Sequence, residues 1–172
     1  MGKGEECNSI RILNRIVSWF PDRVEYEADQ RHAEIIVQQM GLGNSKRSVI
    51  TPAYKRDAKR NPEYKDLEPS DATQYRALVA RANYLAQDRS DIKFAVKELC
   101  RRMAAPKDVD WEALKRLARY LNGCPRAIST FARQNLQKFI TGWSDSDWAG
   151  CVDTRKSTSG GVMIIGSHVI KT

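Results

Sequence analysis

Cysteine and histidine are scarce in this chain and scattered: Cys7, Cys100, Cys124 and Cys151 form no Cys-x-x-Cys pair, and His32 and His168 stand far apart. That spacing argues against a zinc site and against a disulfide framework, leaving reduced cysteines, three of them small core or edge residues. No apolar run approaches the roughly 18 residues needed to cross a bilayer, and the opening residues Met1 to Glu6 have none of the apolar character of a signal peptide. The expectation is an intracellular protein with no membrane partner. Internal repeats and low-complexity tracts are also missing, which excludes solenoid and linker-like architectures.

What is present reads as a folded domain. The 172 residues are 41% hydrophobic and 29% charged, close to globular averages, and suffice for one ordinary domain or two small ones. Charge is the outlier. A formal net charge of +8 makes polyanions natural partners, because Lys and Arg that neutralise phosphates gain from counterion release. A solvated basic surface accounts for the same charge without a ligand.

Periodicity predicts an α+β fold. Branched apolar residues from Ser9 to Trp19 (Ile10, Ile12, Leu13, Ile16, Val17) predict a strand, Pro21-Asp22 a turn, and Val24 to Tyr26 a second strand, so a β-hairpin opens the chain. Asp29 is a good N-cap for a helix over 30–40 carrying Ile35, Ile36 and Met40, and Gly41 and Gly43 stop it. Residues 44–69 are polar and basic (Lys46, Arg47, Lys55, Arg56, Lys59, Arg60, Lys65) and interrupted by Pro52, Pro62 and Pro69, a connector. Three helices follow. The first runs from an N-cap at Ser70 or Asp71 to about Gln87, with Leu78, Ala82 and Leu85 on one face. The second starts behind Ser90, buries Ile92, Ala95, Val96, Leu99 and Met103, and is ended by Pro106. The third spans about 109–122 with Trp111, Leu114, Leu117, Ala118 and Leu121 inward and Gly123 at its end. Past Cys124-Pro125 the period becomes two, with strands expected over 127–132, 138–144 and 161–166 and another starting at His168. The organisation expected is a hairpin, helix and basic linker over 1–69, a helical unit over 70–123 and an antiparallel sheet over 124–172.

Two features carry chemistry. On the second of the three helices Lys93, Lys97 and Arg101 recur every four residues, opposite its apolar stripe, and on the third Lys115, Arg116 and Arg119 also lie away from the buried side. Such ridges can track a phosphate backbone without reading sequence, and they serve equally as solvated helix faces. The densest polar cluster is Trp143-Ser144-Asp145-Ser146-Asp147-Trp148-Ala149-Gly150. Carboxylates two apart on a strand share a face, and oxygen ligands suit magnesium or manganese. A capped turn explains the same residues. An EF-hand calcium loop fits poorly, because Ala149 fills its fifth position and Lys156 its twelfth, where a bidentate Glu belongs. The segment Arg155-Lys156-Ser157-Thr158-Ser159-Gly160-Gly161 reads as a polar turn between strands.

The run from Trp143 to Gly150, followed by Arg155-Lys156-Ser157-Thr158-Ser159-Gly160, resembles the opening of the copia-type ribonuclease H domain. Upstream matches keep the same order: Thr51-Pro52, Tyr75-Arg76-Ala77-Leu78-Val79, Tyr84-Leu85-Ala86, Arg89-Ser90-Asp91-Ile92 with Ala95-Val96, and Arg119-Tyr120-Leu121-Asn122-Gly123. They cover about Thr51 to Ile170, and the hairpin and helix before them resemble, more weakly, the region after a polymerase palm. The resemblance implies a fragment of a retrotransposon Pol polyprotein that copies RNA into DNA and degrades the RNA strand of the hybrid. It also implies an incomplete ribonuclease H-like antiparallel sheet at the C-terminal end.

The resemblance further implies a Mg2+ or Mn2+ cofactor, with RNA, DNA or an RNA–DNA hybrid and the remainder of the Pol polyprotein as partners. Asp145 matches the first acidic metal ligand of the motif, the catalytic candidate, and Asp147 is the adjacent motif Asp, a second candidate metal ligand. Two-metal hydrolysis needs several acidic residues around ions about 3.5–4 Å apart, and the others are expected beyond Thr172. Polymerisation in that family uses palm aspartates, and no Asp-Asp pair occurs here. An inactive chain is therefore expected. Two positions depart from the family pattern: Ser90 stands where Pro is usual, and Arg81 where small residues are usual. The other readings are a non-enzymatic, sequence-independent nucleic-acid-binding module using Lys93, Lys97, Arg101, Lys115, Arg116 and Arg119, with Trp143 and Trp148 either core or stacking residues, and an inert remnant.

Overall fold

A computed structural model describes residues 8–43, 45, 47–54, 64–151 and 154–172. Cys7 and the connector residues Lys46, Lys55, Arg56, Lys59, Arg60 and Pro62 lie outside the described residues. The fold is α+β. Strands β1 (Asn8–Ile12), β2 (Arg15–Trp19) and β3 (Arg23–Glu27) are followed by helices α1 (Gln30–Gln39), α2 (Pro69–Leu85), α3 (Lys93–Cys100) and α4 (Asp108–Gly123). Strands β4 (Ile128–Ala132), β5 (Ile140–Ser146), β6 (Ser159–Ile165) and β7 (His168–Lys171) complete it. One sheet has the order β1-β2-β3-β4 and the other β5-β6-β7. Among the described residues no helix is long and apolar enough to cross a membrane.

The single strand expected over 9–19 is two strands. Leu13 and Asn14 both take positive φ, 50° and 63°, the backbone of a tight two-residue hairpin turn, which Asn tolerates well and Leu poorly. The sign available was Asn14, a turn-favouring residue that with Arg15 interrupts the apolar pattern between Leu13 and Ile16. The turn at Pro21-Asp22 is where expected and is closed by Phe20 N donating to Arg23 O at 2.9 Å.

Two compact units emerge: one holds Ser18–Glu25 and Thr130–Thr172, the other Ile10–Val17 and Tyr26–Ser129. The second contains all four helices, and its core is the meeting of their apolar stripes: Ile36 from α1, Tyr75, Leu78 and Leu85 from α2, Val96 and Leu99 from α3, and Leu114, Leu117 and Leu121 from α4. Burying each such side chain stabilises the fold by about 1.5–3 kcal/mol before entropy is counted. Asp29 caps α1 as expected, accepting from Arg31 N at 2.9 Å, and Gly41 past its end has φ 69°. Helix α2 starts at Pro69 rather than after Ser70 or Asp71. Proline fits the first helical position because its fixed φ suits the helix and no N–H is needed there. Helix α3 stops at Cys100, with a turn at 101–102 after it and a short 3-10 turn, Ser90–Ile92, before it. Met103 is accordingly only partly buried against the core, and so is Trp111, which α4 places at its rim.

One buried cation ties the end of α4 to the start of α3. Arg89 donates to both Asp91 oxygens (2.7–3.2 Å) and to the carbonyls of Cys124 and Pro125 (3.1 and 3.4 Å), and Tyr120 Oη donates to Asp91 at 2.9 Å. Burial works against the charges of both partners, but their mutual hydrogen bond and attraction prevail, holding Asp91 below the usual carboxylate range.

In the other unit, β5 pairs antiparallel with β6 from Ile140↔Ile165 to Ser146↔Ser159, and β6 with β7 through a bulge at Met163/Ile164. Gln134 pins the β6–β7 turn with its whole amide. It donates to Ile165 O and His168 Nδ1, both at 3.0 Å, and accepts from Ser167 N and Oγ at 3.0 and 3.2 Å. Gly166 sits in that turn at φ 58°, where a Cβ would also collide with the Gln134 amide.

Candidate acidic strand and basic helix faces

Asp145 occupies the penultimate position of β5, opposite Gly160, on the same face as Trp143 opposite Val162. Its carboxylate is exposed and accepts a hydrogen bond from Ser146 N at 2.8 Å. The strand does not persist to Asp147, because pairing ends at Ser146↔Ser159 and the chain turns there. Asp147 N donates to Thr158 O at 3.0 Å, and its carboxylate accepts from Thr158 N. Asp147 is thereby the clasp of the β5–β6 loop. Ala149 N donates to Ser157 Oγ at 3.1 Å and Cys151 N to Lys156 O at 3.2 Å, while Ala149 and Arg155 take positive φ of 49° and 55°. A side chain at Gly150 would run into the Asp147 carboxylate. Of the turn expected over 155–161, 155–158 form the return limb of this loop, and Ser159, Gly160 and Gly161 already belong to β6.

Asp147 gives one carboxylate oxygen to the Thr158 backbone, and among the described residues no three His, Cys, Asp or Glu side chains converge. An open groove of about 530 Å³ lies nearby, lined by Trp143, Val162, Met163 and Lys171 among others, but Asp145 is not part of its wall.

The basic residues divide into two sets within the helical unit. On α3, Lys97 Nζ lies 3.0 Å from a Glu98 carboxylate oxygen, and Arg101, just past the end of the helix, lies 3.4 Å from the same oxygen. The ridge is thus partly neutralised from within, and Lys93 is half-buried at its flank. On α4, Arg116 donates to Thr51 Oγ1 at 2.7 Å and lies 5.6 Å from the Tyr54 ring centre, so it fastens the connector to the helix. Lys115 and Arg119, four apart, are half-exposed and make no ion pair among the described residues. Sequence reasoning passed over Glu98 and the exposed Phe94, whose ring lies 5.0 Å from Lys97 Nζ. The signal for Glu98 was its spacing, one residue after Lys97 and three before Arg101.

Both departures from the family pattern are accommodated. Ser90 opens the 3-10 turn before α3. Arg81 is half-buried, and its guanidinium lies 3.2 Å from His32 Nδ1. A guanidinium only donates, so Nδ1 is an acceptor and the His32 ring is neutral, with its Nε2 3.6 Å from Asp29 Oδ2. Burial, together with Arg81, Arg31 and Arg15, lowers the His32 pKa against the opposing pull of Asp29.

Comparison with known proteins adds relatives. The chain is 33% identical over 141 residues to the uncharacterized mitochondrial protein AtMg00810 of Arabidopsis thaliana, covering 81% of the chain and 56% of that protein. It is 40% identical over 100 residues to the retrovirus-related Pol polyprotein from transposon RE2 of the same plant, covering 58% of the chain and 7% of the polyprotein. Against the retrovirus-related Pol polyprotein from transposon TNT 1-94 of Nicotiana tabacum it is 28% identical over 165 residues, covering 93% of the chain and 12% of the polyprotein. The chain therefore spans about half of the first relative and a small part of the others. No family model matches the chain. No solved structure matches it.

Proposed function

The chain belongs to the retrovirus-related Pol polyprotein family of copia-type transposons, and from that premise we propose that it is a non-catalytic segment of a polyprotein whose activities are RNA-templated DNA synthesis and hydrolysis of the RNA–DNA hybrid. Its part is to hold nucleic acid, RNA, DNA or their hybrid, through the phosphates. The helical unit supplies the positive charge, with Lys115 and Arg119 the open cations and Lys97 and Arg101 tempered by Glu98.

The observation that carries the absence of catalysis is the isolation of Asp145. Hydrolysis by two magnesium or manganese ions requires several carboxylates to hold both ions against the scissile phosphate. Among the described residues Asp145 is exposed and no three acidic, His or Cys side chains converge on it, while Asp147 gives one carboxylate oxygen to the Thr158 backbone. A phosphate-holding role asks only for fixed positive charge and is tolerant of sequence.

Cleavage of a labelled RNA–DNA hybrid in magnesium or manganese, together with binding of the same hybrid across a salt series, tests both halves. The expected result is no cleavage by wild type or Asp145→Asn, and binding whose affinity falls steeply with salt. Metal-dependent cleavage lost in Asp145→Asn overturns the non-catalytic reading, and salt-insensitive or absent binding overturns the phosphate-holding one.

A further inference from the structure

The exposed side of α3 carries more than charge. Phe94, Lys97, Glu98 and Arg101 stand at i, i+3, i+4 and i+7, so they form one stripe. It lies opposite the buried stripe of Ile92, Ala95, Val96 and Leu99. Phe94 is 60% exposed, unusual for a phenylalanine on a helix whose other large apolar residues are inside. Its ring is therefore not part of the core, and Lys97 Nζ, 5.0 Å from the ring centre, holds a cation over it.

We infer that this stripe is a stacking platform for an unpaired base, with the Phe94 ring against the base and Lys97 and Arg101 on the flanking phosphates. The inference rests on the phosphate-holding reading above and adds which form of nucleic acid this face takes. Charge complementarity selects the occupant. An apolar protein surface would have to bury Lys97 and Arg101 beside Phe94, whereas a nucleic-acid strand offers a π-face and an anion at adjoining positions. Duplex is disfavoured, because its base faces are already stacked on one another, while a single strand presents them freely. Glu98 has a defined part in this arrangement. One of its oxygens contacts both Lys97 (3.0 Å) and Arg101 (3.4 Å), occupying the place a phosphate oxygen takes when a strand docks. Glu98 thus competes with the ligand and weakens binding at this face.

The test measures binding of labelled oligo(dT) and oligo(rU), and of a blunt RNA–DNA hybrid, across a salt series with the full chain. Wild type, Phe94→Leu and Glu98→Gln are compared. Leucine keeps the apolar surface and removes the ring. Phe94→Leu is expected to weaken single-strand binding roughly tenfold while leaving hybrid binding and both salt slopes unchanged, since stacking releases no counterions. Glu98→Gln is expected to tighten single-strand binding and steepen its salt dependence, with exposed Glu112→Gln on α4 as the control for the change in net charge. Salt-dependent hybrid binding together with a Phe94→Leu variant that binds single strands like wild type overturns this inference alone. Equal loss on single strand and hybrid also overturns it. If wild type binds neither, the phosphate-holding reading fails and the platform falls with it.

Discussion

The helical unit and the C-terminal sheet both carry apolar residues in periodic stripes and reach opposite outcomes. In the helices each apolar stripe meets another: Tyr75, Leu78, Leu114 and Leu117 have no exposed surface. In the sheet, Ile140, Trp143, Met163, Val169 and Ile170 sit on paired strands and stay largely open, Trp143 at 65% exposure, and Trp148 in the adjoining loop at 91%. Strand pairing satisfies backbone polar groups but removes little apolar area from water, and a sheet needs a second layer for that. The free energy of folding is thus concentrated in the helical unit, and the sheet keeps its register through local clasps, Gln134 at one end and Asp147 at the other.

That contrast is most directly broken in the core. Leu117→Ala removes a fully buried side chain of the helical core, and with limited collapse around the void the loss should be about 4 kcal/mol in chemical denaturation. Next comes Arg89→Ala. It leaves Asp91 without its partner and strips the Cys124 and Pro125 carbonyls of their donor, for an expected loss of about 3 kcal/mol. Both changes should leave the denaturant slope near wild type, because the same area unfolds. The sheet offers the counterpart: Trp143→Ser should cost under about 1 kcal/mol, since most of that ring is already in water. A loss as large as that of Leu117→Ala would mean that the sheet face is packed in solution, and the contrast between the units would collapse.

The same contrast explains what was legible in the sequence. Helices α1, α2, α3 and α4 were read within a few residues, because a 3.6-residue stripe that meets other stripes leaves a strong periodic mark, and Leu114, Leu117, Ala118 and Leu121 are buried as that mark required. Strands β4 to β7 were also found to within two residues, from alternation and from the glycines between them. Two kinds of feature escaped. One was the turn at Leu13-Asn14, marked in the sequence only by a single Asn between branched apolar residues that favour strand. The other was the partnership of side chains distant in sequence: Asp147 with Thr158, Arg81 with His32, and Arg89 with the end of α4. Motif spacing placed Asp145 on a strand, but only coordinates separate a carboxylate left open from one used to close a loop.

The smallest expected effect is also confined to the helical unit and appears as a slope with pH. Burial opposes a charge on His32, the Arg81 guanidinium at 3.2 Å, Arg31 and Arg15 add to that against the pull of Asp29, and its folded pKa lies below the ordinary 6.5. The unfolded chain therefore takes up a proton at this position before the folded one does, so stability falls as pH drops from about 6.5 toward the folded value. Glu27, drawn below its ordinary 4.5 by the hydrogen bond from Arg126, loses its contribution only in a lower window, as pH falls through its own folded value. Denaturation midpoints of wild type and His32→Gln, followed from pH 7.5 to 5, should converge as the pH falls, because only wild type carries the histidine penalty. Parallel curves would mean that His32 does not resist protonation and that Arg81 is held in place by packing rather than by the ring nitrogen.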